Sequence, residues 1–266
     1  MKIEDLIYIA QSAGKILLGY FRKKGLSHSE KSGKSDLVTE ADLAAQEKIT
    51  EELARLYPDI PVIGEEGKQE RGEGPYFLVD PLDGTLNFFH GIPYFSVSIA
   101  LMEDEKPIAG VVHAPGLGET FYAVKGEGAY FNNEKLSLSS RVQISGAIAV
   151  TGWPYDQRLI KWTEKAISLV QSKVQEVRIM GSAALEMCYV AAGFIDVYWE
   201  VGLYPWDLAA GVTILKEAGG VVTDVDGASF ELSSGRVLAC GNRSICKEMI
   251  LTLEKTGIAN ILNIDR

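Results

Sequence analysis

The feature that most restricts the fold of this chain is a series of short apolar segments between residues 76 and 131, separated by glycine and proline. Their length and their content of β-branched and aromatic residues predict strands at residues 76–79, 95–102, 108–113, 120–124 and 129–131. Strands with such short connections pair with their sequence neighbours. We therefore predict a meandering, mostly antiparallel sheet with one face covered by helices.

Two amphipathic helices are predicted before this sheet. Apolar residues recur at intervals of three and four from Ile3 to Phe21, and Gly25 is a suitable stop. Thr39 is a suitable N-cap for a second helix, which Pro58 ends. The polar segment between the two helices is predicted to be an exposed, basic loop.

Helix and strand alternate more regularly in the second half of the chain. The predicted strands lie near residue 148 and at 177–180, 197–201, 221–223 and 237–239. The predicted helices lie at 159–170, 183–192 and 207–218. We expect an α+β fold with an N-terminal half (residues 1–145) and a C-terminal α/β half (residues 146–266), and a site between them.

Composition excludes several classes of protein. The net charge of −10 argues against a nucleic-acid-binding surface. The apolar runs are shorter than the roughly 20 residues that span a bilayer, and the N-terminus lacks the apolar core of a signal peptide. Three cysteines are too few for a disulfide framework, and no pair has zinc-knuckle spacing. We expect a cytoplasmic protein that binds neither membranes nor nucleic acid directly.

The segment DPLDGTLNF at residues 80–88 is the most informative for chemistry. An apolar strand leads to Asp80, and Asp83 follows three residues later, so both carboxylates can face one divalent cation. If the next segment is helical, the backbone N–H groups of Gly84 and Thr85 would face a phosphate. Cations beside a phosphate suit hydrolysis of a phosphate monoester. A simple Asp-Pro-Leu-Asp-Gly turn is the alternative interpretation.

Two other acidic segments carry candidate metal ligands. Glu65 lies in Gly64-Glu65-Glu66 after a strand-like segment, and it could complete the coordination of the first metal. Asp207 follows Trp206 at the start of an apolar helix. A surface loop at Glu65 and a plain N-cap at Asp207 are the alternatives.

In combination, these segments resemble the inositol monophosphatase family, part of a lithium-sensitive, magnesium-dependent phosphatase superfamily. The resemblance lies in GEE at 64–66, DPLDGTLNF at 80–88 and WDLAAGVTILKEAGG at 206–220, in the family's order. DLVTEAD at 36–42, GSAAL at 181–185 and WEVG at 199–202 are similar to further family segments. The resemblance extends to about residue 256 and implies a layered αβαβα sandwich, usually assembled as a homodimer.

The resemblance also implies how the metal ions are held. Glu65, Asp80 and the Leu82 carbonyl would hold one Mg²⁺, and Asp80, Asp83 and Asp207 would hold a second. A third, weaker ion near Glu65 would make two or three ions per site. Asp42 and Thr85 would orient or deprotonate the attacking water, so Asp42, Glu65 and Thr85 are the implied catalytic residues.

The implied substrate contacts fall in two groups. The phosphate would lie on the loop containing Leu82, Asp83, Gly84 and Thr85, and Asp207 would assist the leaving oxygen or its water. The alcohol half of the substrate would contact the residues Arg178, Ser182, Ala183 and Glu200. Arg178 could instead pair across a subunit interface. Lys31 matches a mobile-loop lysine of the family, and a solvated basic residue is the alternative.

Three functions follow as hypotheses. The first is hydrolysis of inositol 1-phosphate or a similar polyol phosphate. The second keeps the chemistry and replaces the substrate with fructose 1,6-bisphosphate, possible as a dual activity, or with 3'-phosphoadenosine 5'-phosphate. The third is non-enzymatic: some bacterial relatives associate with the transcription machinery.

Overall fold

The computed structural model describes residues 1–33, 36–66 and 74–257. The α-helices in these residues are α1 (Ile3–Tyr20), α2 (Glu40–Leu56), α3 (Thr85–Phe89), α4 (Gln157–Gln171), α5 (Ala183–Ala191), α6 (Pro205–Glu217) and α7 (Arg243–Leu253). Short 3-10 turns lie at Ile144–Gly146, Leu232–Ser234 and Glu254–Thr256.

The strands in the first half of the chain are β1 (His28–Gly33), β2 (Asp36–Thr39), β3 (Val62–Gly64), β4 (Tyr76–Asp83), β5 (Ser96–Glu103), β6 (Lys106–Ala114), β7 (Glu119–Val124), β8 (Gly128–Phe131) and β9 (Glu134–Lys135). Strands β3 to β9 form a seven-stranded sheet in sequence order. Only the β3–β4 pair among these described strands is parallel. The predicted meandering, mostly antiparallel sheet is confirmed.

The strands in the second half are β10 (Ile148–Thr151), β11 (Glu176–Ile179), β12 (Val197–Val201), β13 (Val221–Thr223) and β14 (Arg236–Cys240). They form a five-stranded mixed sheet in the order β11-β10-β12-β14-β13. Strand β10 is parallel to both of its neighbours, whereas β14 is antiparallel to β12 and β13. The first sheet ends at Lys135 and the second begins at Ile148, while the division of the chain at residue 145 stays a prediction.

Three apolar clusters define five layers. Helices α1 and α2 pack on the outer face of the seven-stranded sheet, where Leu17, Ile49 and Val111 belong to one buried apolar cluster. Helices α5 and α6 lie between the two sheets. Helices α4 and α7 cover the outer face of the five-stranded sheet, where Trp162 and Met249 are buried. The predicted αβαβα sandwich is confirmed.

The central layer explains the composition of α5 and α6. Nearly every side chain of these helices is buried, because each helix faces a sheet on both sides. Small residues allow the close approach: a Cβ at Gly110 on β6 would lie 2.8 Å from Cα of Ala210 on α6. The backbone of α6 therefore lies almost directly against the seven-stranded sheet.

Two local predictions were wrong or incomplete. The segment predicted as an exposed loop between α1 and α2 forms the antiparallel hairpin β1–β2, joined through backbone pairs that its polar sequence does not reveal. Helix α7 was not predicted. Its signals are present in the sequence, since Asn242 caps the helix through Ser244 N–H and Ile245, Met249 and Leu253 recur every four residues.

Within residues 1–33, 36–66 and 74–257, no helix combines the length and the apolar character needed to cross a membrane.

Replacing Gly110 with alanine should destabilise the protein by about 1–3 kcal/mol, because the added methyl overlaps the α6 backbone and neither element can move independently. Chemical denaturation measures the free energy of unfolding. Gly19→Ala is the matched control: Gly19 is exposed on α1 with no atom near its missing Cβ, so its replacement should raise stability by up to about 1 kcal/mol. Equal effects of the two substitutions would contradict the packing.

Candidate active site

A cavity of about 710 Å³ opens where residues from both sheets and from the central helices meet. Its acidic lining residues are Glu65, Asp80, Asp83, Glu200 and Asp207. Leu82, Gly84, Thr85, Ser182 and Ala183 also line it. Ten of the predicted site residues, far apart in sequence, therefore share one cavity.

Strand β4 brings two of the acids to the same side of the sheet. In a regular strand, residues three apart point to opposite faces. Here Asp80 pairs with Ser98 and Asp83 with Ser96, so one extra residue bulges out of β4. The bulge contains Pro81, which has no N–H to offer the ladder. It therefore turns both carboxylates toward the cavity, where Asp80 Oδ1 also accepts the Leu82 N–H at 2.9 Å.

The segment after Asp83 is helical, as the phosphate-loop hypothesis requires. Gly84 is the N-cap of α3 in a left-handed conformation (φ 94°). A Cβ there would lie 2.9 Å from the Gly181 carbonyl oxygen and 3.1 Å from that of Tyr94. Glycine is therefore required both for the turn and for the close approach of the C-terminal half.

Asp83 joins the two halves of the chain. Its carboxylate accepts hydrogen bonds from Ser182 Oγ at 2.6 Å, Ala184 N at 2.9 Å and Ala183 N at 3.1 Å. These donors are the first turn of α5, whose unpaired N–H groups favour an anion. Burial raises the pKa of Asp83, although these hydrogen bonds act in the opposite direction. Asp83 thus acts as a cap supplied by a distant segment.

The alternative of a plain N-cap at Asp207 is wrong, because Tyr204 is the N-cap of α6 and Asp207 is the third residue of the helix. Helix α6 begins at Pro205. Asp207 Oδ2 accepts a hydrogen bond from the Tyr204 N–H at 2.8 Å. Asp207 therefore stabilises the start of the helix and also lines the cavity. Burial raises its pKa well above the usual range, and the charge of Glu65 raises it further.

The buried acids fit a divalent cation by their charge and donor type. Burial is the largest cause that raises the pKa of Asp80 well above its usual range. Repulsion from the charges of Glu65, Asp83 and Asp207 raises this pKa further. Among the described residues, Asp80, Asp83 and Asp207 form no ion pair with Lys, Arg or His. Several buried carboxylates without a positive partner are unfavourable, and oxygen-rich groups of this kind are the ligands that Mg²⁺ accepts.

The acids share a cavity without converging on a point. In the described part of the chain, no three His, Cys, Asp or Glu side chains are arranged to hold a metal ion. The hydrogen bonds of Asp83 and Asp207 to backbone N–H groups turn their oxygens toward helix ends. The metal sets implied by the resemblance therefore remain predictions about ligand identity.

Asp42 and Thr85 form a hydrogen-bonded pair beside the cavity. Thr85 Oγ lies 3.1 Å from Asp42 Oδ1 and 2.9 Å from the Leu82 carbonyl oxygen. Because the hydroxyl has a single proton, it can donate a full hydrogen bond to only one of these acceptors at a time. Thr39 holds the other oxygen of Asp42 through its N–H at 2.9 Å and its hydroxyl at 2.5 Å. Burial raises the pKa of Asp42 to about 6, despite the hydrogen bonds from Thr39. A carboxyl with this pKa can exchange a proton near neutral pH.

Glu200 lies on the opposite wall, on β12. Tyr198, two residues earlier on the same face of the strand, donates its hydroxyl to Glu200 Oε2 at 2.8 Å. Burial raises the pKa of Glu200 to about 7, against the effect of that hydrogen bond. A Cβ at position 152 would overlap the Glu200 carboxylate, so Gly152 gives it room.

Arg178 and Lys31 do not join this group. Arg178 lies on the edge strand β11, where its guanidinium pairs with Glu176 at 3.1 Å, and it is not among the residues that line the cavity. Its pairing across a subunit interface remains a prediction. Lys31 falls on β1, and its side chain lies outside the described residues.

Several lining residues were not identified from the sequence. Asn87 donates its amide to the carbonyls of Met180 at 2.7 Å and Tyr94 at 2.8 Å, and it lies inside the DPLDGTLNF segment that could have revealed it. Leu86 lies in the same segment. Four other exposed lining residues had no motif to mark them: Trp153, Tyr155, Ile179 and Tyr204.

The chain matches a known protein family over nearly its whole length. Residues 3–257 match the Inositol monophosphatase family. The chain is 42% identical over 198 residues to a fructose-1,6-bisphosphatase/inositol-1-monophosphatase of Thermotoga maritima (74% of this chain and 75% of the relative). It is 41% identical to the Nus factor SuhB of Pasteurella multocida, with 92% of each chain covered.

A solved structure supports the same relationship. The extragenic suppressor protein suhB from Bartonella henselae superposes with a TM-score of 0.91 at 37% sequence identity, covering 95% of this chain and 98% of that protein.

Asp42→Asn tests the environment of the buried acid. The pKa of Asp42 is about 6 in the folded protein and near 3.8 when unfolded, so the folded state holds the proton more tightly. Stability contributed by this proton is present below pH 4 and lost as the pH rises to about 6. The variant lacks this loss. From pH 4 to 7, the free energy of unfolding of D42N should therefore rise by about 2 kcal/mol relative to the wild type.

Denaturant titrations in EDTA at several pH values measure this difference. Because Asn also loses hydrogen bonds with Thr39 and Thr85, the change with pH is the diagnostic quantity and the absolute difference at one pH is not. Parallel stability curves for D42N and the wild type would contradict the raised pKa.

Proposed function

The chain belongs to the inositol monophosphatase family, and we propose that it hydrolyses inositol 1-phosphate to inositol and phosphate with Mg²⁺ as the cofactor. The observation that supports this proposal is the single cavity in which Asp80, Asp83 and Asp207 are buried beside the Gly84–Thr85 turn. Family membership supports phosphatase chemistry. The donor chemistry of the cavity supports the metal.

In this proposal the acids divide into two overlapping sets. Glu65, Asp80 and the Leu82 carbonyl hold one ion, and Asp80, Asp83 and Asp207 hold a second, with a weaker third near Glu65. Bound Mg²⁺ would offset the charge of the phosphate and lower the pKa of the attacking water. The Gly84 and Thr85 N–H groups orient the phosphate.

Asp42 and Thr85 handle the proton of the attacking water. Thr85 Oγ accepts a hydrogen bond from the water and passes its own proton toward Asp42 Oδ1, 3.1 Å away. With a pKa of about 6, Asp42 is mostly ionised at pH 7 and can take that proton. Thr39 keeps the carboxylate in the required orientation through its two hydrogen bonds to Oδ2.

The other wall of the cavity selects the alcohol. Glu200 would accept hydrogen bonds from substrate hydroxyls, and Ser182 and Ala183 would contact the same half of the substrate. Asp207 would assist the leaving oxygen or the water that protonates it. A substrate rich in hydroxyl groups suits an acidic wall, which supports a polyol phosphate over a simple alkyl phosphate.

A second candidate keeps the mechanism and adds a substrate. The Thermotoga maritima relative is named for both fructose-1,6-bisphosphatase and inositol-1-monophosphatase activity. The cavity of about 710 Å³ has room for a second phosphate group. Activity on fructose 1,6-bisphosphate alongside inositol phosphate is therefore the main alternative to strict specificity.

A third candidate is an interaction role. The Pasteurella multocida relative is named Nus factor SuhB, which supports a partner function in transcription in addition to catalysis or in place of it. The acidic net charge of −10 favours a protein partner over direct contact with RNA. The homodimer, lithium sensitivity and cytoplasmic location implied by the resemblance are part of the first proposal, the magnesium-dependent phosphatase.

Phosphate release tests the substrate directly. The panel is inositol 1-phosphate, fructose 1,6-bisphosphate, 3'-phosphoadenosine 5'-phosphate and glycerol phosphate, each with Mg²⁺ and with EDTA. We expect the highest kcat/KM with inositol 1-phosphate and loss of turnover in EDTA, because the carboxylates cannot bind an anionic substrate without the cation.

Asp83→Ala serves as the inactive control, with circular dichroism to verify its fold. Preference for another member of the panel would replace the substrate and keep the mechanism. Turnover that persists in EDTA would contradict the role of the metal. Absence of turnover with every substrate, in a protein that still captures RNA polymerase in a pull-down, would favour the interaction role.

A further inference from the structure

A buried acid that the proposed mechanism does not use lies directly behind the cavity wall. Glu186 is in the first turn of α5 and is 1% exposed. Its Oε1 atom accepts the backbone N–H of Gly181 at 2.8 Å and that of Met180 at 3.2 Å. The side chain therefore reaches back from the helix and holds the turn that precedes it.

The same turn is held from its other side. Asn87 on α3 donates its amide to the carbonyl oxygens of Met180 at 2.7 Å and Gly181 at 3.2 Å. Gly181 has a left-handed backbone (φ 85°), which glycine adopts without a steric penalty. Glu186 binds its N–H groups and Asn87 binds its carbonyl groups.

The position of this turn determines two features of the site. The Gly181 carbonyl lies against Gly84, where a Cβ would come within 2.9 Å, so the turn fixes the width of the cleft at the phosphate loop. Ser182 and Ala183 follow directly and donate to the Asp83 carboxylate at 2.6 and 3.1 Å. A displaced turn would move both the phosphate loop and the orientation of Asp83.

Only one of the two carboxyl oxygens of Glu186 has a hydrogen-bond partner among the described residues. Its second oxygen, Oε2, is buried and has no hydrogen-bond partner within the described residues. Burial raises the pKa of Glu186 well above its usual range, and the charge of Glu200 raises it further. A buried polar atom without a partner is unfavourable. The contribution of Glu186 is therefore the acceptor at Oε1, which a glutamine would supply equally well.

We propose that Glu186 is a positioning residue for the phosphatase site, which holds residues 180–182 through Oε1 so that Asp83 and the Gly84 turn keep their working geometry. The inference rests on the proposed function for its effect on catalysis. Its structural part, the fixed turn, is independent of that function.

The experiment compares two variants. Glu186→Gln keeps the acceptor oxygen, whereas Glu186→Met keeps the length of the side chain and removes the acceptor oxygen. Glu217 supplies the matched control, because its Oε2 accepts two backbone N–H groups of another turn, Gly126 at 3.0 Å and Gly128 at 3.1 Å, outside the cavity lining. Glu217→Met thus removes the same type of contact elsewhere.

We expect kcat/KM for inositol 1-phosphate to fall about 10- to 100-fold in E186M and to stay within about threefold of wild type in E186Q and E217M, since small displacements of reacting groups have effects of this size. Of these three variants, E186M alone should show faster amide hydrogen exchange at residues 180–184. In E217M, faster exchange should be confined to residues 126–128.

Glu186→Asp provides a second route if E186M fails to fold. It keeps the carboxyl but shortens its reach by one methylene, so it should show the same faster exchange and loss of activity. Wild-type kinetics and exchange in a folded E186M or E186D would overturn the proposal. If the wild type hydrolyses no substrate in the panel, the proposed function fails, and the exchange measurement still decides whether Glu186 holds the turn.

Discussion

Burial of several carboxylates in one cleft, where the described residues supply no positively charged partner, is the constraint on which the structure depends. Asp80, Asp83 and Asp207 are each less than a tenth exposed, and among the described residues none of them has a basic partner. Removing an ion from water costs several kcal/mol unless its charge is compensated. The fold tolerates this arrangement by giving each carboxylate backbone N–H donors, and a divalent cation would complete the compensation.

The layered architecture supplies those donors from distant segments. The bulge in β4 turns Asp80 and Asp83 to one side, and the N-termini of α5 and α6 provide N–H groups for Asp83 and Asp207. Both helices are held in the middle of the sandwich between two sheets. The site is therefore precise because its supporting elements are the most deeply buried ones, and glycine at positions 84 and 110 permits their close approach.

The sequence predicted the elements whose signals are local. Apolar periodicity located α1, α2 and most strands, and the three acidic motifs contained the cavity-lining acids Glu65, Asp80, Asp83 and Asp207. Contacts between distant segments were not predictable, because they leave no pattern in sequence. Glu186 reads as an ordinary helical residue until its position behind residues 180–182 is known. Arg178 belongs to a segment near the site but lies on an exposed sheet edge, where strand geometry decides the direction of the side chain.

Thermal unfolding with and without Mg²⁺ tests the central claim most directly, with Asp80→Asn as the variant and Asp224→Asn as the control. Asp224 is also a buried acid, but it is paired with Arg236 at 2.7 Å. Asn at position 80 can still accept the Leu82 N–H. We expect Mg²⁺ to raise the Tm of the wild type and of D224N by ligand linkage, and D80N to be at least as stable as the wild type in EDTA while losing the response. A wild-type Tm that does not change with Mg²⁺, or a full response in D80N, would contradict a cation site built from these carboxylates.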